Sequence, residues 1–383
     1  MLTKIWPILL IITIWSSVPC FADPLPASRR VFSADLDRDG SDEILIAHNT
    51  QLSAFRYSGA KIGWSQVWQV DGPGVIQKVL SHPDHPSILI AWGMGKGKMV
   101  APITVTAIEP LSGAMKELWH YKGGRSQVVN LQLVQVDKDS ELELFIAHFV
   151  SKYHTRRVLL DQLDSDQPIE SVSGQIRMAT SWMLADIDGQ PGLEEIIGRV
   201  YGDEKGEYGD LSIQKFSMNA PKIKLGQIMP TERGVKSVMV WPSLDPNTIT
   251  PNKHTLYFSD GWVAAYGKKA KAGLKKLTWL NGRVQVERIA DSHDEFTFFE
   301  LWQKKSIQTG QSLIFAQGNK GINLLTPRSN GMWKVDRLLS TPPIVNAAIA
   351  YSGGQWWVAL PSEQGTQAKP LNLPTSANGV PSP

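Results

Sequence analysis

The sequence predicts an all-β chain folded as a seven-bladed β-propeller of four-stranded blades, and three observations predict it. The first is internal repetition: Ala34 to His48 (ADLDRDGSDEILIAH) and Val134 to His148 (VQVDKDSELELFIAH) lie one hundred residues apart and are identical at six of fifteen positions without a gap. The second is a recurring aliphatic strand, with seven copies starting near positions 44, 88, 144, 196, 256, 313 and 357. Their intervals of 44, 56, 52, 60, 57 and 44 residues suit four-stranded blades carrying loop insertions. The third is the scarcity of helical periodicity beside abundant alternation of apolar and polar residues between turn signals.

The seven recurring strands include Ile44–Ala47, Ile88–Ala91, Ile196–Gly198, Leu256–Ser259, Leu313–Ala316 and Trp357–Leu360. Further strands fill each unit, such as Ile103–Ile108 before the turn Pro110-Leu111-Ser112-Gly113, and Trp333–Leu339 after Ser329-Asn330-Gly331. A small sheet with two apolar faces can bury both only between neighbours, which accounts for the near-continuous aliphatic runs. The 14 tryptophans are expected in blade-to-blade packing. The last unit runs short after Leu360, so Val31-Phe32 and the residues around them are expected to supply its missing strand and close the ring.

The ends of the chain bound this domain. Residues 1–22 carry Lys4, an apolar run from Ile5 to Trp15 and a polar stretch ending Cys20-Phe21-Ala22, the layout of a secretory signal with cleavage after Ala22. The run is too short to span a bilayer comfortably. The expected location is therefore periplasmic or secreted. Acylation of Cys20, the sole cysteine, is the rival reading, but Ser17 and Pro19 make a poor lipid-attachment box. The propeller is assigned to residues 23–362, and residues 363–383, rich in Pro, Ser, Gly, Asn and Thr, to a disordered tail.

With 42% hydrophobic residues the chain can build a large core, and its formal charge of +3 falls to +2 once Lys4 leaves. So balanced a surface argues against nucleic acid as a partner. The mature chain has no further apolar run near membrane-spanning length and is expected to be a monomer.

The chemistry is concentrated in Asp35-Leu36-Asp37-Arg38-Asp39-Gly40-Ser41-Asp42-Glu43. A hard cation such as calcium takes six to eight oxygens, and here Asp35, Asp37 and Asp39 can offer side chains, Ser41 its carbonyl and Glu43 a closing carboxylate. Gly40 permits the sharp turn. Three acids so close together repel unless a cation neutralises them, whereas an ordinary hairpin turn would use Asp and Gly only as turn formers. The fourth unit keeps Asp186, Asp188 and Glu194 but has Gln190 at the fifth position, whose amide oxygen binds calcium more weakly. In the third unit Gln135 replaces the first acid and Ser140 the glycine, leaving Asp137, Asp139 and Glu143.

These loops, each followed by an Ile/Leu-rich strand, resemble the FG-GAP/VCBS-type β-propeller repeats shared with integrin α-subunit heads. The resemblance covers the repeat layout along most of the mature chain and is specific in the loops; the family's Phe-Gly and Gly-Ala-Pro signatures are largely missing. It implies calcium at Asp35, Asp37, Asp39, Ser41 and Glu43, and at Asp186, Asp188, Gln190 and Glu194. That calcium would be structural, on the outside of a blade and away from any cleft.

Other constellations read as structure. His82-Pro83-Asp84-His85-Pro86 sits where the acidic loop falls in the second unit and is expected to be a proline-stiffened turn. His48 and His148 end equivalent strands and are expected to pack. Gly93-Met94-Gly95-Lys96-Gly97-Lys98 lacks the spacing and helix of a phosphate loop. Lys268, Lys269, Lys271, Lys275 and Lys276 form the densest basic patch, expected in a solvated loop. Neither a Gly-x-Ser-x-Gly nor a His-Glu-x-x-His motif is present, so the expected role is a scaffold that binds a protein or glycan partner. The alternative is a polysaccharide lyase or hydrolase whose site is assembled from scattered loops.

Overall fold

The computed structural model describes residues 30–82, 84–93, 102–123, 127–137, 139, 141–151, 154–165, 167–177, 179–203, 206–218, 224–228, 238–242, 256–260, 273–291, 298–305, 312–318, 320–328, 332–341, 347–362 and 365–374. The signal-like segment 1–22, the glycine-rich loop from Met94 to Lys98, and Lys268, Lys269 and Lys271 lie outside the described residues.

Seven antiparallel sheets follow one another along the chain. Blade 1 is β1 (Arg30–Ala34), β2 (Glu43–His48), β3 (Gln51–Tyr57) and β4 (Trp64–Asp71). Blade 2 is β5 (Val75–Leu80), β6 (Ile88–Gly93), β7 (Ile103–Ile108) and β8 (Met115–Tyr121). Blade 3 is β9 (Val128–Val134), β10 (Glu143–Phe149), β11 (His154–Asp161) and β12 (Ile169–Arg177). Blade 4 is β13 (Ala179–Ala185), β14 (Glu194–Asp203), β15 (Gly206–Lys215) and β16 (Lys224–Ile228). Blade 5 is β17 (Val238–Pro242), β18 (Leu256–Asp260), β19 (Gly273–Leu280) and β20 (Arg283–Asp291). Blade 6 is β21 (Phe298–Lys305), β22 (Ser312–Gly318), β23 (Gly321–Pro327) and β24 (Trp333–Ser340). Blade 7 has, among the described residues, β25 (Ala348–Ser352), β26 (Gln355–Leu360) and β27 (Gln367–Leu371). Together they make a seven-bladed β-propeller, and among the described residues there is no helix.

Each recurring aliphatic strand of the sequence is the second strand of its blade. Its two faces serve two interfaces, because successive side chains point to opposite sides. Leu45 and Ala47 pack with Ile76, Ile88 and Ile90 of blade 2, while Ile44 and Ile46 pack with Ala348, Ala350 and Ala359 of blade 7. Phe145 and Ala147 likewise turn to blade 4 and Leu144 and Ile146 to blade 2. Seven apolar clusters result, one for each pair of neighbours, blade 7 with blade 1 included. Burial of one such Leu or Ile side chain contributes about 1.5–3 kcal/mol. Trp68, Trp92, Trp119, Trp182 and Trp356 are buried in these seams.

The ring closes differently from the expected strand exchange. The segment containing Val31 and Phe32 is β1, and it pairs with β2 of its own blade, Val31 opposite Ile46 and Phe32 opposite Leu45. Blade 7 takes its third strand from Gln367–Leu371, inside the segment assigned to the tail, with Ala359 opposite Ala368 and Trp356 opposite Leu371. Alternation of apolar residues is too sparse in QAKPL to announce a strand, and Pro370 is tolerated because β27 is an edge strand. The propeller thus extends beyond residue 362, and among the described residues its last blade has three strands where four were expected.

Closure rests on side chains and loops at the blade 7–blade 1 seam. Ser33 Oγ donates to the Ile349 carbonyl at 2.6 Å. The Asp42 N–H donates to the Tyr351 carbonyl at 2.6 Å, and the Tyr351 N–H donates to Asp42 Oδ2 at 2.8 Å. Lys304 of β21 reaches the same carboxylate at 2.9 and 3.0 Å, so one aspartate ties blades 1, 6 and 7. Tyr57, Trp64 and Trp357 cover the seam, with ring centroids 5.0 to 5.8 Å apart. Asp42→Ala leaves a partly buried ammonium and a backbone N–H without their acceptor. The expected loss is about 2 kcal/mol in urea unfolding; unchanged stability would show that the apolar seam closes the ring unaided.

First strands of neighbouring blades approach one another: β1 and β25, β5 and β9, β9 and β13, β13 and β17. They therefore line the axis. Gln132 of β9 joins two of them by donating to the Leu184 carbonyl at 2.7 Å and accepting the Leu184 N–H at 3.1 Å.

Candidate functional site: three acidic loops

The acidic loops of blades 1, 3 and 4 each link a first strand to a second strand, so all three emerge at the same face of the ring, beside the innermost strands. The expected position on the outside of a blade is thereby corrected. In each loop three carboxylates converge, with one oxygen from each lying within 4.8 Å of the others. The groups are Asp35, Asp37 and Asp39; Asp137, Asp139 and Glu143; and Asp186, Asp188 and Glu194.

One brace is common to all three. The ninth-position glutamate is the first residue of the second strand and is buried. Its Oε2 accepts a backbone N–H seven residues upstream: Leu36 to Glu43 at 2.9 Å, Val136 to Glu143 at 2.7 Å, and Ile187 to Glu194 at 2.8 Å. Further N–H groups fold the loop onto its own acids. Gly40 donates to Asp35 at 2.9 Å and Ser41 to Asp39 at 2.7 Å. Gly189 donates to Asp186 at 2.7 Å, and exposed Gln190 uses its N–H to bond Asp188 at 2.9 Å. Gly40 sits at φ 88°, in the left-handed region where a side chain would strain the turn.

The second oxygen of the glutamate separates the loops. In blade 1 the Arg56 guanidinium of β3 reaches Glu43 Oε1 at 2.7 Å and Asp37 Oδ2 at 2.6 Å. In blade 4 the Lys215 ammonium of β15 reaches Glu194 Oε1 at 2.5 Å and Asp188 Oδ2 at 2.8 Å. An internal cation thus bridges the third and ninth positions in both. In blade 3, Glu143 Oε1 is buried with no hydrogen-bond partner among the described residues. There Gln135 closes the loop instead, donating to the carbonyls of Asp139 and Glu141 at 2.7 and 2.9 Å.

Burial raises the pKa of all three glutamates. Hydrogen bonds from Arg56 and from Lys215 act against that rise in blades 1 and 4, where Asp37 and Asp188 add to it; in blade 3 backbone N–H groups act against it and Asp137 and Asp139 add to it. Asp35 is raised too, by burial and then by Asp39 and Asp42, despite the N–H of Gly40. The loops therefore differ in how they suit calcium, the ion that the sequence resemblance implies. Blade 1 offers Asp35, Asp37 and Asp39, with Asp35 Oδ1 lacking a hydrogen-bond partner, but its Glu43 is engaged. Blade 4 offers Asp186, which accepts the Gly189 N–H, with Asp188 and Glu194 engaged by Lys215.

The remaining candidates settle into structure. At His82–Pro86 the His85 N–H donates to the His82 carbonyl at 3.1 Å and Asp84 N–H to His82 Nδ1 at 3.2 Å, which is a turn. Its histidines are not part of any metal-holding group among the described residues. His148 is buried against Tyr121 and Trp119 of blade 2, whereas His48 is exposed. Lys275 and Lys276 lie in β19, pairing with Arg288 and Glu287, so that part of the basic patch is strand and not loop. No helix among the described residues is long and apolar enough to cross a membrane.

Arg56 and Lys215 were missed by sequence reading. A signal for them exists: the short hairpin at Asn49-Thr50 sets a register that puts Arg56 across from Glu43, and the hairpin after Asp203 puts Lys215 across from Glu194.

No protein-family model matches this chain, and no curated protein matches it. The fold is shared with solved structures at low identity. BBS1N, solved in complex with ARL6DN, is 10% identical at a TM-score of 0.54, over 93% of this chain and 96% of that one. A protein classed provisionally as a 6-phosphogluconolactonase from Bacteroides uniformis ATCC 8492 is 11% identical at 0.53, covering 83% and 87%. Saccharomyces cerevisiae Sqt1 is 11% identical at 0.50, covering 90% and 84%.

Proposed function

We propose that the protein is an exported propeller of the FG-GAP/VCBS type that serves as a scaffold for a protein partner, with calcium as the cation of its acidic-loop face. The observation that carries the binding role is the outer rim of blades 2 and 3. Leu111 and Met115 are 58% and 43% exposed there, and Ile169 and Val172 of β12 are 51% and 47% exposed. A cavity of about 260 Å³ opens on this rim, lined by Met115, Leu118 and Leu163 with Glu109, Lys116 and Asp164. Lys116 ties the two blades by donating to the carbonyls of Asp164 and Ser165 at 3.2 and 2.7 Å. Exposed aliphatic side chains beside a polar border are the composition of a protein-binding patch. The large apolar side chains exposed among the described residues are aliphatic, not the aromatic rings on which sugars stack, which favours a protein over a glycan. BBS1N, of the same fold, was solved with a partner, ARL6DN.

The test places a photo-crosslinking residue at Met115 and, as a control, at exposed Lys61, in the cells that produce the protein. A discrete adduct is expected from position 115, absent from 61 and lost on Leu111→Glu; equal labelling at both positions would remove the rim as the binding surface. Export has its own check. N-terminal sequencing of the mature protein is expected to begin at Asp23 with Met1 to Ala22 absent, and retention of that segment would refute the leader.

A further inference from the structure

We propose that the acidic loop of blade 3, and not those of blades 1 and 4, is the divalent-cation site of this propeller, because Arg56 and Lys215 already stand where the ion's charge is needed in the other two. The inference rests on calcium as the cation of this face and specifies which loop takes it. Motif completeness ranks the loops in the opposite order, since blade 3 has lost its first acid to Gln135 and its glycine to Ser140.

Three observations carry the assignment. Asp137, Asp139 and Glu143 each bring an oxygen within 4.8 Å of the others. Glu143 is 2% exposed, and its Oε1 has no hydrogen-bond partner among the described residues, so a buried acceptor is left for a ligand. In blades 1 and 4 the corresponding oxygen is taken by Arg56 and Lys215.

The difference traces to one position on the third strand. Glu43 stands across from Arg56, and Glu194 is paired with Lys215. In blade 3, Leu144 pairs with Leu160, so the next step of the ladder puts Asp161 across from Glu143. An acid thus holds the ladder position that carries a base in the sister loops, and the three carboxylates of the blade 3 loop converge with no such base beside them on that strand. Such a group favours a hard cation with oxygen ligands. Exposed Asp137 and Asp139 leave its outer side open to water. Gln135, bonded to two loop carbonyls, holds the loop closed without the first acid.

The experiment is calcium titration of chelated full-length protein by calorimetry, with thermal unfolding before and after addition. One ion per chain and a rise in Tm are expected. Asp137→Asn with Asp139→Asn is expected to abolish both, while Asp37→Asn with Asp39→Asn leaves both in place. Asp161→Arg installs the internal base in blade 3 and is expected to remove calcium binding while keeping the folded state, which guards against a variant that merely unfolds. Binding retained in the blade 3 variants, or lost in the blade 1 variant, would overturn the assignment while leaving a calcium propeller intact. Absence of any calcium response in the parent would overturn the assignment together with calcium itself, and would leave partner binding at the rim to its separate crosslinking test.

Discussion

Replacing Arg157 with Met is expected to destabilise the propeller by about 3–5 kcal/mol, the range for stripping one partner from a buried ion pair. Arg157 lies on β11 of blade 3 and is 4% exposed; Glu195, on β14 of blade 4, is fully buried. The guanidinium pairs with the Glu195 carboxylate, donates to the Ser217 carbonyl and lies 5.0 Å from the Phe216 ring. Glu195 also accepts from Trp182 Nε1 at 2.9 Å and from the Gln214 amide. Those two neutral donors would remain in the variant, but the charge would be uncompensated in a buried seam. Adding Glu195→Gln to Arg157→Met removes that charge and is expected to restore much of the loss. Urea unfolding of parent, both single variants and the double variant reads the coupling directly. Equal stability of Arg157→Met and parent would show that the pair merely offsets its own desolvation.

The second large effect is set by pH. His148 is fully buried at the blade 2–blade 3 seam, 4.7 Å from the Tyr121 ring and 5.5 Å from that of Trp119. Its Nδ1 lies 3.3 Å from the Phe149 carbonyl and its Nε2 has no partner among the described residues. Burial, with the Arg156 charge adding to it and the Phe149 carbonyl opposing, lowers its pKa to about 4 from the ordinary 6.5. A lowered histidine costs nothing above pH 6.5, where folded and unfolded chains both hold it neutral. As pH falls from 6.5 to 4 only the unfolded chain takes up the proton, so stability drops through that window and levels off below it. The drop attributable to His148 is about 3 kcal/mol. His148→Phe keeps a ring in the seam and is expected to flatten the unfolding free energy relative to the parent between these limits. Parallel curves would place the titration elsewhere.

Much of the fold was legible because its determinants are local. Ile44 to Ala47 and their six counterparts are apolar on both faces, and a strand of that kind has to be covered on both sides. The acids at Asp35, Asp37 and Asp39, and at Asp186 and Asp188, were equally legible, and they converge in loops built as their spacing suggests. The misreadings came from elements whose placement depends on partners. QAKPL is too polar and too short to identify as a strand, and it becomes one only because β26 presents an open edge. Val31 and Phe32 fit either side of the closing seam by composition; pairing with β2 decides in favour of their own blade.

Sequence alone determined the all-β class, the seven second strands, the alternation that divides each between two seams, and the acids of the three loops. Those properties follow from hydrophobic periodicity and turn chemistry, which act over a few residues. Tertiary structure decided how the ring closes and where charge is balanced. Arg56 meets Glu43 and Lys215 meets Glu194 across a paired hairpin, while the ladder sets Asp161 opposite Glu143. Register converts distant residues into neighbours, and only the assembled sheet shows which loop carboxylate faces a base on the third strand and which faces an acid.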